Sequence, residues 1–222
     1  PLSPKGVTEA AAAGRTLAER ALRFDVAHTS VLTRAAHTCH LALEAMGQVW
    51  LPVQRHWRLN ERHYGALQGL DKKATTERHG AEQTNLWRRS YDVPPPPVNN
   101  ESPEHPANDP RYRLLPPDVL PASECLADVV ARVMPYWHDV VAPQLLNGLD
   151  VLMVAHGNSL RALMMHLDGI SRADIAEVNI PTGIPRLYGF DARLTVTGAD
   201  YLGDPAAIAA ATAAVAGQAG SH

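Results

Sequence analysis

The chain has 222 residues and a net charge of −3 at pH 7, and 45% of its residues are apolar. This length allows one large domain with a substantial core, and the weak negative charge excludes a global attraction to nucleic acid or to an anionic membrane. No apolar run in the sequence approaches the roughly 20 residues of a membrane-spanning helix. Cys39 and Cys125 both lie in helical patterns. We therefore expect two reduced thiols in a cytoplasmic protein rather than a disulfide.

The first half of the chain alternates helical and extended patterns. Ser3 and Pro4 fit an N-cap and a first helical position, and the alanine-rich helix that they start runs to about Arg20. The pattern of apolar residues and glycines then predicts a strand over 25–30, a helix over 31–46 that Gly47 ends, and a strand over 49–57. It also predicts short helices over 71–79 and 82–89.

The second half begins with a proline-rich segment, 94–121, that holds four consecutive prolines and six more. No helix or strand persists through such a segment, so it is either a long ordered loop or lid, or a disordered insert. Residues 123–146 are amphipathic, but Pro135 and Pro143 should kink or divide that helix. The sequence then predicts a buried strand over 150–155, a helix from 157 to about 167, paired strands over 186–190 and 194–196, and a helical or frayed tail over 205–222.

Strands alternate with helices along most of the chain, which predicts an α/β fold with a mostly parallel sheet. We expect a single domain over 1–222. The sequence has no glycine-rich nucleotide-binding motif.

His156 stands where the predicted strand over 150–155 ends and the next helix begins. Ligands bind at this end of the strands in open α/β sheets. The backbone N–H groups of the helix start, from Gly157 to Ser159, suit a phosphoryl oxygen. The alternative is a histidine that caps the strand and has no functional role.

Glu61 begins a run of an acid, a cation, an imidazole and a phenol, followed by the small residues Gly65, Ala66 and Gly69. Cationic neighbours keep a carboxylate ionised, so that it can accept a proton from a hydroxyl. Small residues let a ligand or another backbone come close. A solvated charge cluster on a loop is the alternative.

Several basic residues could hold an anion. Arg88 and Arg89 end a short helix, where two guanidinium groups could bind a phosphate and a carboxylate, although a solvated helix end is the commoner explanation for such a pair taken alone. Lys72 has the same ambiguity, and Arg34 is either a residue that reaches back to the strand ends or a surface arginine. The eleven histidines are scattered without a metal-binding motif, so we expect no metal.

With these segments in view, the chain resembles the cofactor-dependent phosphoglycerate mutases of the histidine phosphatase superfamily. The resemblance spans nearly the whole chain and is carried by the runs 29–35 (TSVLTRA), 58–69 (RLNERHYGALQG), 87–92 (WRRSYD), 155–161 (AHGNSLR) and 179–185 (NIPTGIP). It implies a three-layer sandwich whose mostly parallel central sheet is flanked by helices.

The resemblance also implies roles for individual residues. Glu61 would be the acid/base for the substrate hydroxyl, and His156 and Arg34 would surround the transferring phosphoryl group. The substrate's phosphate and carboxylate would be held by Arg62, His63, Tyr64, Lys72, Arg88, Arg89, Gly157 and Asn158. The implied reaction interconverts 3-phosphoglycerate and 2-phosphoglycerate with 2,3-bisphosphoglycerate as primer and without a metal, in a homo-oligomer, either a dimer or a tetramer.

One departure concerns the first strand and the Arg-His-Gly turn whose histidine carries the phosphoryl group in that family. The only such tripeptide here, Arg78-His79-Gly80, ends a predicted polar helix. We therefore expect that residues 1–222 lack the first strand and the nucleophile and are inactive by themselves. The alternatives are a histidine phosphatase for another phosphorylated metabolite, and a non-catalytic protein that binds anions or presents 94–97 to a proline-reading domain.

Overall fold

The structure is a computed structural model that describes the backbone of residues 1–70 and 72–220 and the side chains of 1–70 and 74–217. The strands are β1 (Val26–Thr29), β2 (Val53–Arg55), β3 (Val151–Val154), β4 (Arg186–Phe190) and β5 (Val196–Tyr201). The α-helices are α1 (Pro4–Glu19), α2 (Thr33–Ala45), α3 (Lys72–His79), α4 (Ala81–Arg89), α5 (Leu126–Tyr136), α6 (Ala142–Leu146), α7 (Gly157–Leu167) and α8 (Pro205–Gly220). None of these described helices is long and apolar enough to cross a membrane.

The predicted parallel sheet is present. Within the described residues it has the order β2-β1-β3, and Ala27 of β1 pairs with Val53 on one side and with Leu152 on the other. β4 and β5 form a separate antiparallel pair. The α/β fold class is therefore confirmed, and β1, the middle strand of the sheet, is wholly buried.

Helices cover both faces of the parallel sheet. Successive residues of β3 point to opposite faces: Leu152 and Val154 pack with Cys39 of α2, while Val151 and Met153 pack in the cluster around Trp137 on the other face. This alternation produces the layered arrangement of helix, sheet and helix.

β3 is less buried than the sequence predicts. All of its residues are only half-buried. The edge opposite β1 pairs with no strand among the described residues, and a mostly apolar cleft of about 560 Å³ lies between β3 and β4. A strand that is paired on one side only keeps part of its surface accessible. The first strand that the resemblance implies beside β3 stays a prediction.

The predicted strand over 49–57 is shorter in the structure. Only 53–55 pair with β1. His56 donates its N–H to Thr29 O (2.9 Å) and then caps a 3₁₀ turn, Trp57–Leu59, through Nδ1, which accepts from Arg58 N (3.2 Å). The capping histidine explains why the extended pattern ends early, and the turn carries the chain towards Glu61.

The two prolines divide the helix over 123–146 as predicted. A π-helical turn, Trp137–Val141, separates α5 from α6. Pro135 lies just before it and Pro143 just after it. Each proline lacks an N–H and crowds the preceding turn, and the wider π turn accommodates that mismatch.

The proline-rich segment forms short 3₁₀ turns at 106–108, 110–112 and 117–119. Its start packs on the residues after Glu61: Ala66 N donates to Pro96 O (2.8 Å). Gly65 has a φ of +56°, and a Cβ there would lie 2.1 Å from Pro96 O. The small residues after Glu61 thus admit a neighbouring backbone, which is one of the two uses that the sequence suggested for them.

Candidate active site

The carboxyl ends of β1 and β3 bring two distant motifs together. Ser30 follows β1, His156 follows β3, and Ser30 Oγ lies 2.7 Å from His156 Nε2. Both side chains are buried. Since the two strands are parallel neighbours, their ends meet at one edge of the sheet, and this edge carries the candidate site.

His156 is the N-cap residue of α7. Its N–H donates to Ser159 Oγ (3.1 Å). Burial, helped by the positive charges of Arg34 and Arg132, lowers the pKa of His156 from 6.5 to about 3. The imidazole is therefore neutral at pH 7, when it can donate one hydrogen bond and accept another. A neutral ring in a cationic setting suits contact with an anionic group.

Glu61 faces the first turn of α7. Its Oε1 accepts from Asn158 Nδ2 (2.6 Å) and from its neighbour Arg62 N (2.8 Å). Its Oε2 receives a longer bond from Asn158 N (3.4 Å). These donors hold the carboxylate in one orientation while a lone pair of Oε2 stays available for a substrate proton.

Asn158 connects Glu61 to two more groups. Its Nδ2 also donates to Tyr64 Oη (3.2 Å), and its Oδ1 accepts from Arg161 Nη1 (3.3 Å). Burial, together with the charges of Arg62 and Arg89, lowers the pKa of Arg161 to about 10. Arg161 thus belongs to the site, although the sequence analysis gave it no role.

Guanidinium groups stacked on the ring of Tyr64 form another side of the candidate site. Arg62 is 2% exposed. Its guanidinium lies 4.5 Å from the centre of the Tyr64 ring, and that of Arg88 lies 5.7 Å from it. The Nε atoms of Arg62, Arg88 and Arg161 are buried without a hydrogen-bond partner among the described residues. Buried donors with no acceptor are costly, so an anionic ligand would satisfy this cluster.

Arg89 is anchored differently. Its Nη1 donates to Ala176 O (3.0 Å) and more weakly to Asn179 Oδ1 (3.5 Å). These bonds tie the end of α4 to the segment 174–179, which leads into the last of the matching sequence runs, 179–185. Arg89 therefore orients this side of the site as well as adding charge to it.

A buried ion pair supports the segment that carries Glu61, and the sequence analysis missed it. Arg132 Nε donates to Glu124 Oε1 (2.6 Å), and Arg132 also reaches the backbone of that segment. A signal was present: Arg132 occupies the apolar face of α5 with Val129, Val133 and Tyr136. A charged residue on a buried helix face requires a partner.

The helix start is less open than the sequence suggested. Of the N–H groups from Gly157 to Ser159, that of Asn158 points to Glu61 (3.4 Å). Gly157 is exposed, and a Cβ on it would lie 3.8 Å from Glu61 Oε2. The close neighbour of this helix start is thus the carboxylate of Glu61.

Of the remaining predicted residues, His63 and Arg34 line one cavity with Glu61, Arg62 and Tyr64. His63 turns to the proline-rich segment: its Nε2 donates to Glu104 O (3.0 Å), and its Nδ1 accepts from Gly65 N (3.1 Å). Arg34 is exposed on the first turn of α2. The side chain of Lys72 lies outside the described residues, so its role stays a prediction.

Two other expectations concern histidines. His79 ends α3, as predicted for 78–80, and its ring packs edge-on against Trp87 (5.1 Å between centroids). In the part of the chain that the structure describes, no group of three or more His, Cys, Asp or Glu side chains could hold a metal ion.

Comparisons with known proteins show which proteins this chain is similar to. The family model of the histidine phosphatase superfamily (branch 1) matches residues 1–108 and 104–185. The 2,3-bisphosphoglycerate-dependent phosphoglycerate mutase of Nitratidesulfovibrio vulgaris strain Hildenborough is 57% identical over 98% of this chain and 87% of that protein. The mutase of the same name from strain Miyazaki F is 58% identical over the same shares.

Among solved structures, a mycobacterial glucosyl-3-phosphoglycerate phosphatase in complex with inorganic phosphate is 23% identical, with a TM-score of 0.65 over 93% of this chain and 89% of that one. At this identity the likeness concerns the fold alone. The family match and the close relatives together show that this chain belongs to branch 1 of the histidine phosphatase superfamily.

Proposed function

We propose that the protein is a phosphoglycerate mutase that interconverts 3-phosphoglycerate and 2-phosphoglycerate. One observation carries the proposal: the Glu61 carboxylate is held by Asn158 (2.6 Å) beside a cluster of guanidinium groups whose Nε atoms are buried. Moving a phosphoryl group between two hydroxyls requires an acid/base beside an anion site. The names of the close relatives support the same activity.

The geometry supports a division of roles. Arg62, Arg88 and Arg89, with Lys72, bind the substrate's carboxylate and phosphate through charge-assisted hydrogen bonds. Tyr64 and Asn158 orient Glu61, which takes a proton from the hydroxyl that receives a phosphoryl group and returns it to the oxygen that gives up its phosphoryl group. His156 and Arg34 stabilise the charge on the phosphoryl group during transfer.

The phosphoryl group is carried by a histidine in this proposal, and 2,3-bisphosphoglycerate supplies the group that primes it. Of the histidines described at the site, His156 has Nε2 bonded to Ser30, and His63 has both ring nitrogens bonded to the protein. We therefore place the nucleophile outside residues 1–222. The guanidinium cluster has the charge to hold the primer, which carries one phosphate more than the substrates.

The test uses the protein as its gene encodes it, incubated with 3-phosphoglycerate and trace 2,3-bisphosphoglycerate. We expect 2-phosphoglycerate to form, turnover to depend on the bisphosphate, and acid-labile phosphate to appear on one histidine outside 1–222. A polypeptide of residues 1–222 alone should give none. Release of inorganic phosphate without mutase turnover would favour a phosphatase, and absence of both activities would favour a non-catalytic binding protein.

We further propose that the enzyme works in the cytoplasm as a homo-oligomer. β2 is an edge strand of the described sheet, and Val49 and Trp50 just before it are 56% and 68% exposed. An exposed aromatic beside a free strand edge suits a contact between two copies. Light scattering of the parent and of Trp50→Glu tests this: we expect a dimer or tetramer that the substitution dissociates.

A further inference from the structure

A single buried ion pair carries an unusual number of backbone contacts. The side chains of Arg132 and Glu124 are 8% and 4% exposed and form two hydrogen bonds, Nε to Oε1 (2.6 Å) and Nη2 to Oε2 (3.1 Å). This paired geometry fixes both planar groups relative to each other. The pair joins α5 to the residue that precedes its N-cap.

Each partner also bonds to the segment 58–63. Arg132 Nη1 donates to the carbonyl of Arg58 (2.6 Å), and Nη2 reaches the carbonyls of Asn60 (3.0 Å) and Glu61 (3.3 Å). Glu124 bonds His63 twice: its Oε2 accepts from His63 N (2.8 Å), and its own N donates to His63 O (2.9 Å).

These contacts provide the hydrogen bonds that a helix or strand would otherwise provide. Residues 60–64 belong to no helix or strand, yet Asn60 and Arg62 are almost fully buried. Buried backbone groups need partners, and here two side chains supply them to three carbonyls and one N–H between 58 and 63, while the backbone N–H of Glu124 bonds a fourth carbonyl. The backbone that carries Glu61 therefore takes its position from α5.

We propose that Arg132 and Glu124 are positioning residues, which set the place of the Glu61 carboxylate in the reaction. The proposal rests on the proposed mutase function for its effect on turnover. The competing view is that the pair only stabilises the fold. The two views differ because replacing both partners of a buried ion pair with apolar residues of similar volume often leaves stability unchanged or raises it, whereas it cannot restore the backbone contacts.

The experiment compares the parent protein with Arg132→Met and with Arg132→Met/Glu124→Met. The single variant leaves a buried carboxylate unpaired, so its melting temperature should fall clearly. The double variant should recover most of that loss. Its kcat should nevertheless stay at least tenfold below the parent, since a misplacement of about 1 Å can cost about 100-fold.

Hydrogen exchange provides a readout that does not depend on activity. In the double variant the amide of His63 loses its acceptor, and we expect amides over 60–64 to exchange at least tenfold faster while those of α5 keep their protection. Arg132→Lys, which keeps the charge pair but not the planar fork, should fold even where the double variant does not. It should show a smaller local increase, because His63 N keeps its acceptor on Glu124, and a reduced kcat, because the carbonyls of Arg58, Asn60 and Glu61 lose the guanidinium.

A matched control is the pair Arg186–Asp168 (3.0 Å), which joins β4 to the end of α7 away from 58–63. Its double replacement by Met should leave kcat and exchange over 60–64 as in the parent. Recovery of kcat together with stability in the Arg132/Glu124 double variant would overturn the proposal, as would unchanged exchange over 60–64. If the parent has no mutase activity, the proposed function fails, and the exchange result alone decides the positioning role.

Discussion

Replacing Glu61 with glutamine is the sharpest test of the proposed chemistry, because the structure shows how little else it changes. Oε1 accepts the two short bonds, from Asn158 Nδ2 (2.6 Å) and Arg62 N (2.8 Å), while Oε2 accepts only the 3.4 Å bond from Asn158 N. A glutamine whose oxygen takes the Oε1 position keeps both short bonds. It loses one weak bond, worth less than about 1 kcal/mol of stability.

The effect on catalysis should be far larger. A neutral amide cannot accept the proton of the substrate hydroxyl, and general acid–base catalysis contributes about 10²–10⁴-fold. At 1.36 kcal/mol per factor of ten, this corresponds to about 2.7–5.4 kcal/mol of transition-state stabilisation. We therefore expect kcat to fall at least 100-fold while the melting temperature stays within a few degrees of the parent.

The assay follows 2-phosphoglycerate formation, and calorimetry measures substrate binding, which should be retained. Glu104→Gln is the matched control: this exposed carboxylate lines a cavity of about 510 Å³ with Glu61, and its loss should leave turnover unchanged. A Glu61→Gln protein that keeps more than half of the parent's kcat would show that Glu61 is not the base.

Three further predictions follow from the site. Arg88→Ala should raise KM for 3-phosphoglycerate more than about tenfold, since a charge-assisted bond contributes about 1.5–3 kcal/mol. An unchanged KM in steady-state assays would favour the alternative, that Arg88 only ends a solvated helix. His156→Ala should slow phosphorylation of the enzyme by 2,3-bisphosphoglycerate about 100-fold in rapid-quench labelling, and a normal rate with a collapsed melting temperature would make His156 structural. Acidification should destabilise the fold, because burial lowers the pKa of His56 to about 4 and that of His156 to about 3, from 6.5. The unfolded chain then binds more protons between about pH 6.5 and 3, so the free energy of unfolding falls as the pH drops through that window. In melting scans, the melting temperature of His156→Gln should fall less steeply with decreasing pH than that of the parent. An equal dependence on pH would contradict the lowered pKa of His156.

The local order of the chain could be predicted from its sequence. Ser3 caps α1 (Gly6 N to Ser3 Oγ, 3.1 Å), the two prolines divide the helix over 123–146, and His156 stands at the strand-to-helix junction. Capping, proline chemistry and apolar periodicity act within a few residues, so the helices and strands that they set can be predicted from the sequence. The motif runs also identified the family before any geometry was known.

Relations between distant segments were decided only by the tertiary structure. The sequence could indicate that Arg132, on an apolar helix face, needs a partner, but not that Arg132 and Glu124 hold the backbone around Glu61 or that His63 turns to the proline-rich segment. Likewise β3, an unbroken apolar run, is half-buried because among the described residues it pairs on one side only, and strand pairing is a property of the whole sheet. The sequence by itself determined which groups of this protein are candidates for binding anions and moving protons. Which of them meet, and at what distance, depended on long-range packing and on hydrogen bonds to backbone groups. Every residue type carries a backbone carbonyl and all but proline carry an N–H, so the sequence does not show which of these groups will be used.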